Sequence, residues 1–191
     1  MGSIFKVLNT AIALESGAAH MSDKYEVSKP LYIGGHRIAD YHMMKRDLSL
    51  SDVLVYSSNI GSARIADLIG KETQRSYMVR LGLLDRLALE LPEIAKPIKP
   101  SRWERVEAMT ISFGHGLSVT PVHASAAIAA AAGDGIYRAP TLIKRDPLAP
   151  SIETRIFSAD NVKAVRSMMR LVVSHEAGTG NFAEAPGYLV G

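Results

Sequence analysis

A mainly helical fold is what this sequence predicts, and three observations carry the prediction. Apolar residues recur at helical spacing in several stretches, among them Ile4 to Leu14, Leu50 to Leu54 and Val162 to Val172. Helix-starting and helix-stopping residues flank such stretches: Thr120 with Pro121, and Ser158, on one side, Gly17, Gly82 and Gly133 on the other. Convincing strands are few, and only the segment around Gly34-Gly35 reads as a hairpin. With 191 residues, 47% of them hydrophobic, the chain can bury a core and reads as one domain or a large piece of one.

The elements follow in order. Helix one is expected from Ser3 to Ser16, with Gly17 at its C-terminal cap. "YEVSKPLYIGGHRIADYH" reads as extended chain around the double-glycine turn. Leu50, Val53 and Leu54 share a helical face, "SSNIG" interrupts as a polar tight spot, and Ile65, Leu68 and Ile69 resume the period. Thr73 to Leu81 is a further short helix closed by Gly82. The three prolines of "LPEIAKPIKPS" predict an irregular surface connection, anchored by Trp103 beside Arg102. Thr120 caps an alanine-rich helix with Pro121 in its first position and Gly133 as its stop. "PTLIKR" reads as a short strand, and Ser158 caps a helix whose Val162, Val165, Met169 and Val172 line one side. After His175 the chain reads as loop, ending extended on "YLV".

Composition excludes several functions. Lys and Arg total 22 against 19 Asp and Glu, a net charge of +3 with no basic stripe, so no nucleic-acid partner is expected. The absence of cysteine excludes thiolate chemistry and disulfides. The six histidines show no metal-ligand spacing, so no metal and no cofactor is assigned, and His115, between two glycines, reads as structural. No stretch of eighteen apolar residues exists, and no targeting signal is read at the start.

Chemistry enters through Lys6. It lies inside a helix that is apolar on almost every side, where lysine is rarely buried without a partner or a task. Ser3 is three residues earlier, so the two side chains share a helix face. Burial penalises the ammonium form and would keep the amine basic, as a serine nucleophile needs. The structural alternative is that Ser3 caps the helix while Lys6 extends its amine to the surface. "YSSNIG" adds Ser57 and Asn59 between helical stretches. Ser57 could relay a proton, and the Asn59 amide could hold both the lysine and a substrate carbonyl. The alternative there is a plain polar turn.

Taken together, "GSIFK", "SSNIG", "SFGHGLSVTP" and "GTGNFAEAPGYLVG" resemble, in this order, landmarks of the transpeptidase domain of division-type class B penicillin-binding proteins. The likeness covers the whole chain, with Met1 where the family usually has proline. The resemblance implies that Ser3 is the acyl-accepting nucleophile, Lys6 its base, and Ser57 and Asn59 the relay and holding groups. It places Ser58, Gly114 and Gly116 on the substrate-binding side, and makes the Ser3 backbone N–H an oxyanion donor. Partners implied are peptidoglycan stem peptides and β-lactams, with other cell-wall or division proteins for the parent protein. The implied location is the periplasmic side of the inner membrane.

The sequence contains no Lys-Thr-Gly, the family's third motif, and Gly178-Thr179-Gly180 lacks the lysine. The expected fold is therefore a mainly α fragment of the α/β penicillin-binding protein transpeptidase (β-lactamase-like) fold, with the central-sheet strands largely missing and residues 1–191 forming a partial domain. Weak acylation and self-association to cover helix one are expected with it. A serine β-lactamase or D,D-carboxypeptidase, and a catalytically silent helical interaction module, are the alternatives.

Overall fold

A computed structural model describes residues 1–144 and 153–191. A 3-10 turn, Gly2–Ile4, leads into α1 (Phe5–Glu15). Phe5, Leu8, Ala11, Ile12 and Ala13 are all buried, so α1 is the axis of the core. It packs against α2 (Leu50–Val55), α3 (Asn59–Ile69), α4 (Lys71–Arg80), α6 (Pro121–Ala129) and α7 (Ala159–Ser174). The chain itself covers the apolar surface of this helix. The expectation that α1 must seek cover in a second copy therefore loses its premise.

Between α1 and α2 lie β1 (Lys24–Tyr25), β2 (Leu31–Ile33), β3 (His36–Ile38) and β4 (Leu48–Ser49). The predicted hairpin is β2–β3, pairing Leu31 with Ile38 and Ile33 with His36. Its two-residue turn puts Gly34 at φ +55° and Gly35 at φ +78°, the left-handed pair that a tight hairpin twist demands. A Cβ on Gly34 would lie 2.8 Å from Val106 Cγ2, so the turn rests on α5 (Arg105–Ile111). β1 pairs with β4, and β5 (Ile136–Arg138) with β6 (Glu153–Arg155), all antiparallel. Among the described residues the sheets are three separate two-stranded ribbons, with no central sheet.

Ser49 starts α2 through a capping box with Asp52, and Thr120 and Ser158 cap α6 and α7 as predicted. α4 begins two residues earlier than expected, directly after Gly70. α5 was not foreseen. Its cap is Glu104, whose carboxylate accepts from the third helical residue while Glu107 reaches back. The stop after α6 is also displaced: a π-helical turn, Ala130–Asp134, carries the alanine run past Gly133, and Gly135 at φ +84° ends it. "PTLIKR" forms no strand over its described residues 140–144, and Arg145 lies outside the described residues. A short 3-10 turn occupies Asn181–Ala183 within the stretch read as loop after His175. On α7, Val162, Val165, Met168 and Val173 are buried, with Met169 and Val172 partly buried against the core. Trp103 does anchor the proline-rich segment, donating from Nε1 to Gln74 Oε1 at 3.2 Å. No helix among the described residues is long and apolar enough to cross a membrane.

Candidate active site

Lys6 occupies the first turn of α1 and is 2% exposed, whereas Ser3, in the 3-10 turn before it, is exposed. The amine does not run to the surface. Its Nζ lies 3.0 Å from Ser3 Oγ, 2.9 Å from Ser57 Oγ and 2.7 Å from the Ser57 carbonyl oxygen. Ser57 Oγ is in turn 3.0 Å from Ser3 Oγ, closing a triangle of two hydroxyls and one amine. Burial pulls the Lys6 pKa down from 10.5 to about 8, against the opposing pull of the Asp40 carboxylate. The neutral amine is thereby accessible near neutral pH, with an exposed hydroxyl beside it.

Ser57 reaches the triangle through an unusual backbone. The end of α2 is a Schellman motif: Ser57 N–H donates to Leu54 O at 3.0 Å and Ser58 N–H to Val53 O at 2.9 Å. Glycine normally takes the left-handed position in that motif. Here Ser57 takes it at φ +53°, the one positive φ at a non-glycine among the described residues. The conformation costs about 1–2 kcal/mol for a residue with a Cβ. It points the Ser57 carbonyl and hydroxyl together at the amine, a geometry that glycine could supply only in half. Ser57→Gly is therefore expected to stabilise the fold by about 1 kcal/mol in urea unfolding while slowing any reaction at Ser3, read as covalent labelling.

The other predicted residues divide. Ser58 is buried, caps α3 by accepting from Gly61 N–H at 2.9 Å, and donates to Asp40 Oδ2 at 2.6 Å. Its hydroxyl is thus committed inside the fold, against the substrate-side reading. Asn59 does not hold the lysine as expected: its Nδ2 donates to Ala39 O at 3.2 Å and its backbone N–H to Asp40 Oδ1 at 2.5 Å. Gly114 is buried against the backbone of Gly2, immediately before the serine. Gly116 is exposed, and a Cβ there would meet only Thr110 and Ile111 at 3.6 and 3.8 Å. His115 is exposed, its ring edge-on to Phe113. Among the described residues no cluster of His, Cys, Asp or Glu could hold a metal ion.

Asp40 is the residue sequence reading missed. It accepts from Ser58 Oγ, Asn59 N–H and Ile60 N–H, and its charge acts on Lys6. Its only sequence signal is a carboxylate just past a hairpin.

Comparison with known proteins matches residues 1–191 to the family described as the penicillin binding protein transpeptidase domain. The chain is 34% identical over 192 residues to a probable peptidoglycan D,D-transpeptidase FtsI of Caulobacter vibrioides, covering 100% of this chain and 33% of that protein. It is 31% identical over 191 residues to the peptidoglycan D,D-transpeptidase FtsI of Escherichia coli K12, covering 99% of this chain and 32% of that one. The chain thus spans about a third of the length of these curated relatives. The transpeptidase domain of Burkholderia pseudomallei penicillin-binding protein 3 superposes with a TM-score of 0.90 at 30% identity, over 98% of this chain and 57% of that one. A peptidoglycan glycosyltransferase from Burkholderia ambifaria gives a TM-score of 0.90 at 30% identity, over 98% of this chain and 60% of that one.

Proposed function

The chain belongs to the penicillin-binding protein transpeptidase family, and from that premise we propose that residues 1–191 are the nucleophile-bearing part of a D,D-transpeptidase domain that works by serine acyl transfer. The observation that carries this reading is the triangle of Ser3, Lys6 and Ser57, with the amine buried and the nucleophile open. Its substrates are peptidoglycan stem peptides ending in D-Ala-D-Ala, with β-lactams as mimics. The parent protein acts on the periplasmic side of the inner membrane, with division proteins as partners.

In the proposed reaction Ser3 Oγ attacks the carbonyl carbon of the penultimate D-Ala, and its proton passes to neutral Lys6 Nζ. The tetrahedral oxyanion is stabilised by the Ser3 backbone N–H at the helix start. Collapse breaks the C–N bond. The leaving nitrogen receives the proton from Lys6 through Ser57 Oγ, so D-Ala departs as a neutral amine and Ser3 holds an ester. The amine of a second stem peptide then attacks the ester, gives up a proton by the same route, and Ser3 is restored. With a β-lactam the broken bond lies in the ring and the nitrogen stays tethered.

Slow deacylation fits better than the β-lactamase alternative, which needs a carboxylate or its equivalent to hydrolyse the acyl-enzyme. Glu104 and Glu107 are engaged with each other's backbone at the start of α5, and Glu104 also pairs with Lys71.

A fluorescent penicillin tests the reading. The expected result is a single covalent adduct, mapped by peptide mass spectrometry to Ser3, lost in Ser3→Ala and persisting for hours. No adduct, or an adduct on another residue, removes the acyl-transfer assignment; rapid loss of the adduct turns it to a β-lactamase.

A further inference from the structure

We propose that Asp40 is a positioning residue: its carboxylate clamps the start of α3 and so holds Ser57 in the left-handed turn that presents both Ser57 oxygens to Lys6. The effect on reaction rate rests on the function proposed above; the clamp itself does not.

A serine at φ +53° persists only where the surroundings over-determine it. On the α2 side two backbone hydrogen bonds fix it. On the α3 side every bond that leaves residues 58–60 for the hairpin strap ends on residues 39 and 40. Asp40 Oδ2 takes Ser58 Oγ at 2.6 Å, Asp40 Oδ1 takes Asn59 N–H at 2.5 Å and Ile60 N–H at 2.9 Å, and Ala39 O takes Asn59 Nδ2 at 3.2 Å. The strap is firm, because Asp40 follows β3 by two residues and the hairpin turn is seated on Val106.

Simple helix capping does not account for this arrangement. Ser58 already caps α3 by accepting from Gly61 N–H. The carboxylate adds acceptors for the two preceding N–H groups and places a negative charge at the positive end of the helix. The groups facing the Lys6 amine are Ser3, Ser57 and, through its charge, Asp40. Asp40 therefore acts twice on the site. It sets where Ser57 stands, and it favours the protonated form of Lys6.

These two effects oppose each other on removal, which makes them separable. Asp40→Asn keeps the shape but loses the charge and one acceptor. Its control is Glu15→Gln, because Glu15 Oε2 takes Ser158 N–H, Ser158 Oγ and Asn161 Nδ2 at the start of α7 in the same manner. The readouts are a carbon-13 titration of Lys6, hydrogen exchange of the Asn59 and Ile60 amides, and the pH profile of fluorescent-penicillin labelling. In Asp40→Asn the Lys6 midpoint is expected to fall by about one unit and amide protection at 59 and 60 to drop. The plateau labelling rate is expected to fall about tenfold, although the plateau is reached at a lower pH. Glu15→Gln moves none of these.

Unchanged Lys6 titration and unchanged protection in Asp40→Asn overturn the proposal, as does an equal labelling loss in Glu15→Gln at matched stability. If the parent chain takes no penicillin, the acyl-transfer reading fails while the titration and exchange still decide the role of Asp40. Should Asp40→Asn not fold, the double variant with Ser57→Gly, which relieves the strained turn, is expected to fold; its failure also counts against the clamp.

Discussion

Replacing Lys6 with methionine is expected to slow covalent labelling of Ser3 about a thousandfold, the range spanned by a single general base. Methionine matches the length of the stem and suits an apolar helix, so the loss reports the amine rather than packing. In the parent chain the rate should climb with pH and level off above about 8, where the Lys6 proton is gone. In Lys6→Met that limb should vanish. Stability supplies an independent reading with a fixed sign. The folded amine titrates near 8 and the unfolded one near 10.5, so between those values the unfolded chain binds more protons. Stability attributable to Lys6 therefore rises from pH 8 to 10.5, and below 8 the folded state carries the whole cost of about 3 kcal/mol. Thermal unfolding of both proteins across that window checks it: the difference between parent and variant should narrow as pH rises. A difference that stays constant with pH would mean the amine is solvated.

Local chemistry was the legible part of this protein. Ser3 and Lys6 are three residues apart in a helix, so their meeting follows from helical geometry, and the all-round apolar character of α1 announced its burial. The Gly34-Gly35 hairpin and the caps at Thr120 and Ser158 were equally local. What stayed hidden depends on chain that returns from a distance. Asp40 meets residues 58–60 only after the hairpin folds back, and nothing around it in sequence marks the encounter. Asn59 was given to Lys6 on the strength of the Ser-x-Asn pattern alone, but the Ala39 carbonyl takes its amide. α5 escaped because its capping box is built from Glu104 and Glu107 rather than from serine or threonine. Gly133 looked like a stop because it ends the alanines, yet a left-handed residue is needed two positions later, once the π turn has used up the extra length.

The same contrast governs the pair of glycines beside His115, where equal backbone geometry hides unequal consequence. Gly114 and Gly116 have φ +88° and +86°, so alanine at either position bears the strain of a left-handed residue, about 1–2 kcal/mol. At Gly116 that is nearly the whole cost, because a new Cβ meets side-chain atoms no closer than 3.6 Å. At Gly114 a Cβ would overlap the nitrogen and oxygen of Gly2 and lie 2.6 Å from its carbonyl carbon. Backbone cannot rotate aside as a flexible side chain can, so the turn that carries Ser3 must move or the loop must detach. Gly114→Ala is expected to cost at least about 3 kcal/mol in urea unfolding, against about 1–2 for Gly116→Ala. In whatever fraction stays folded, Ser3 is pushed off the Lys6–Ser57 pair, so penicillin labelling per folded molecule should drop at least tenfold. Equal stability and equal labelling in the two variants would show that the Gly2 turn yields freely, and that the loop supports Ser3 less than its close approach implies.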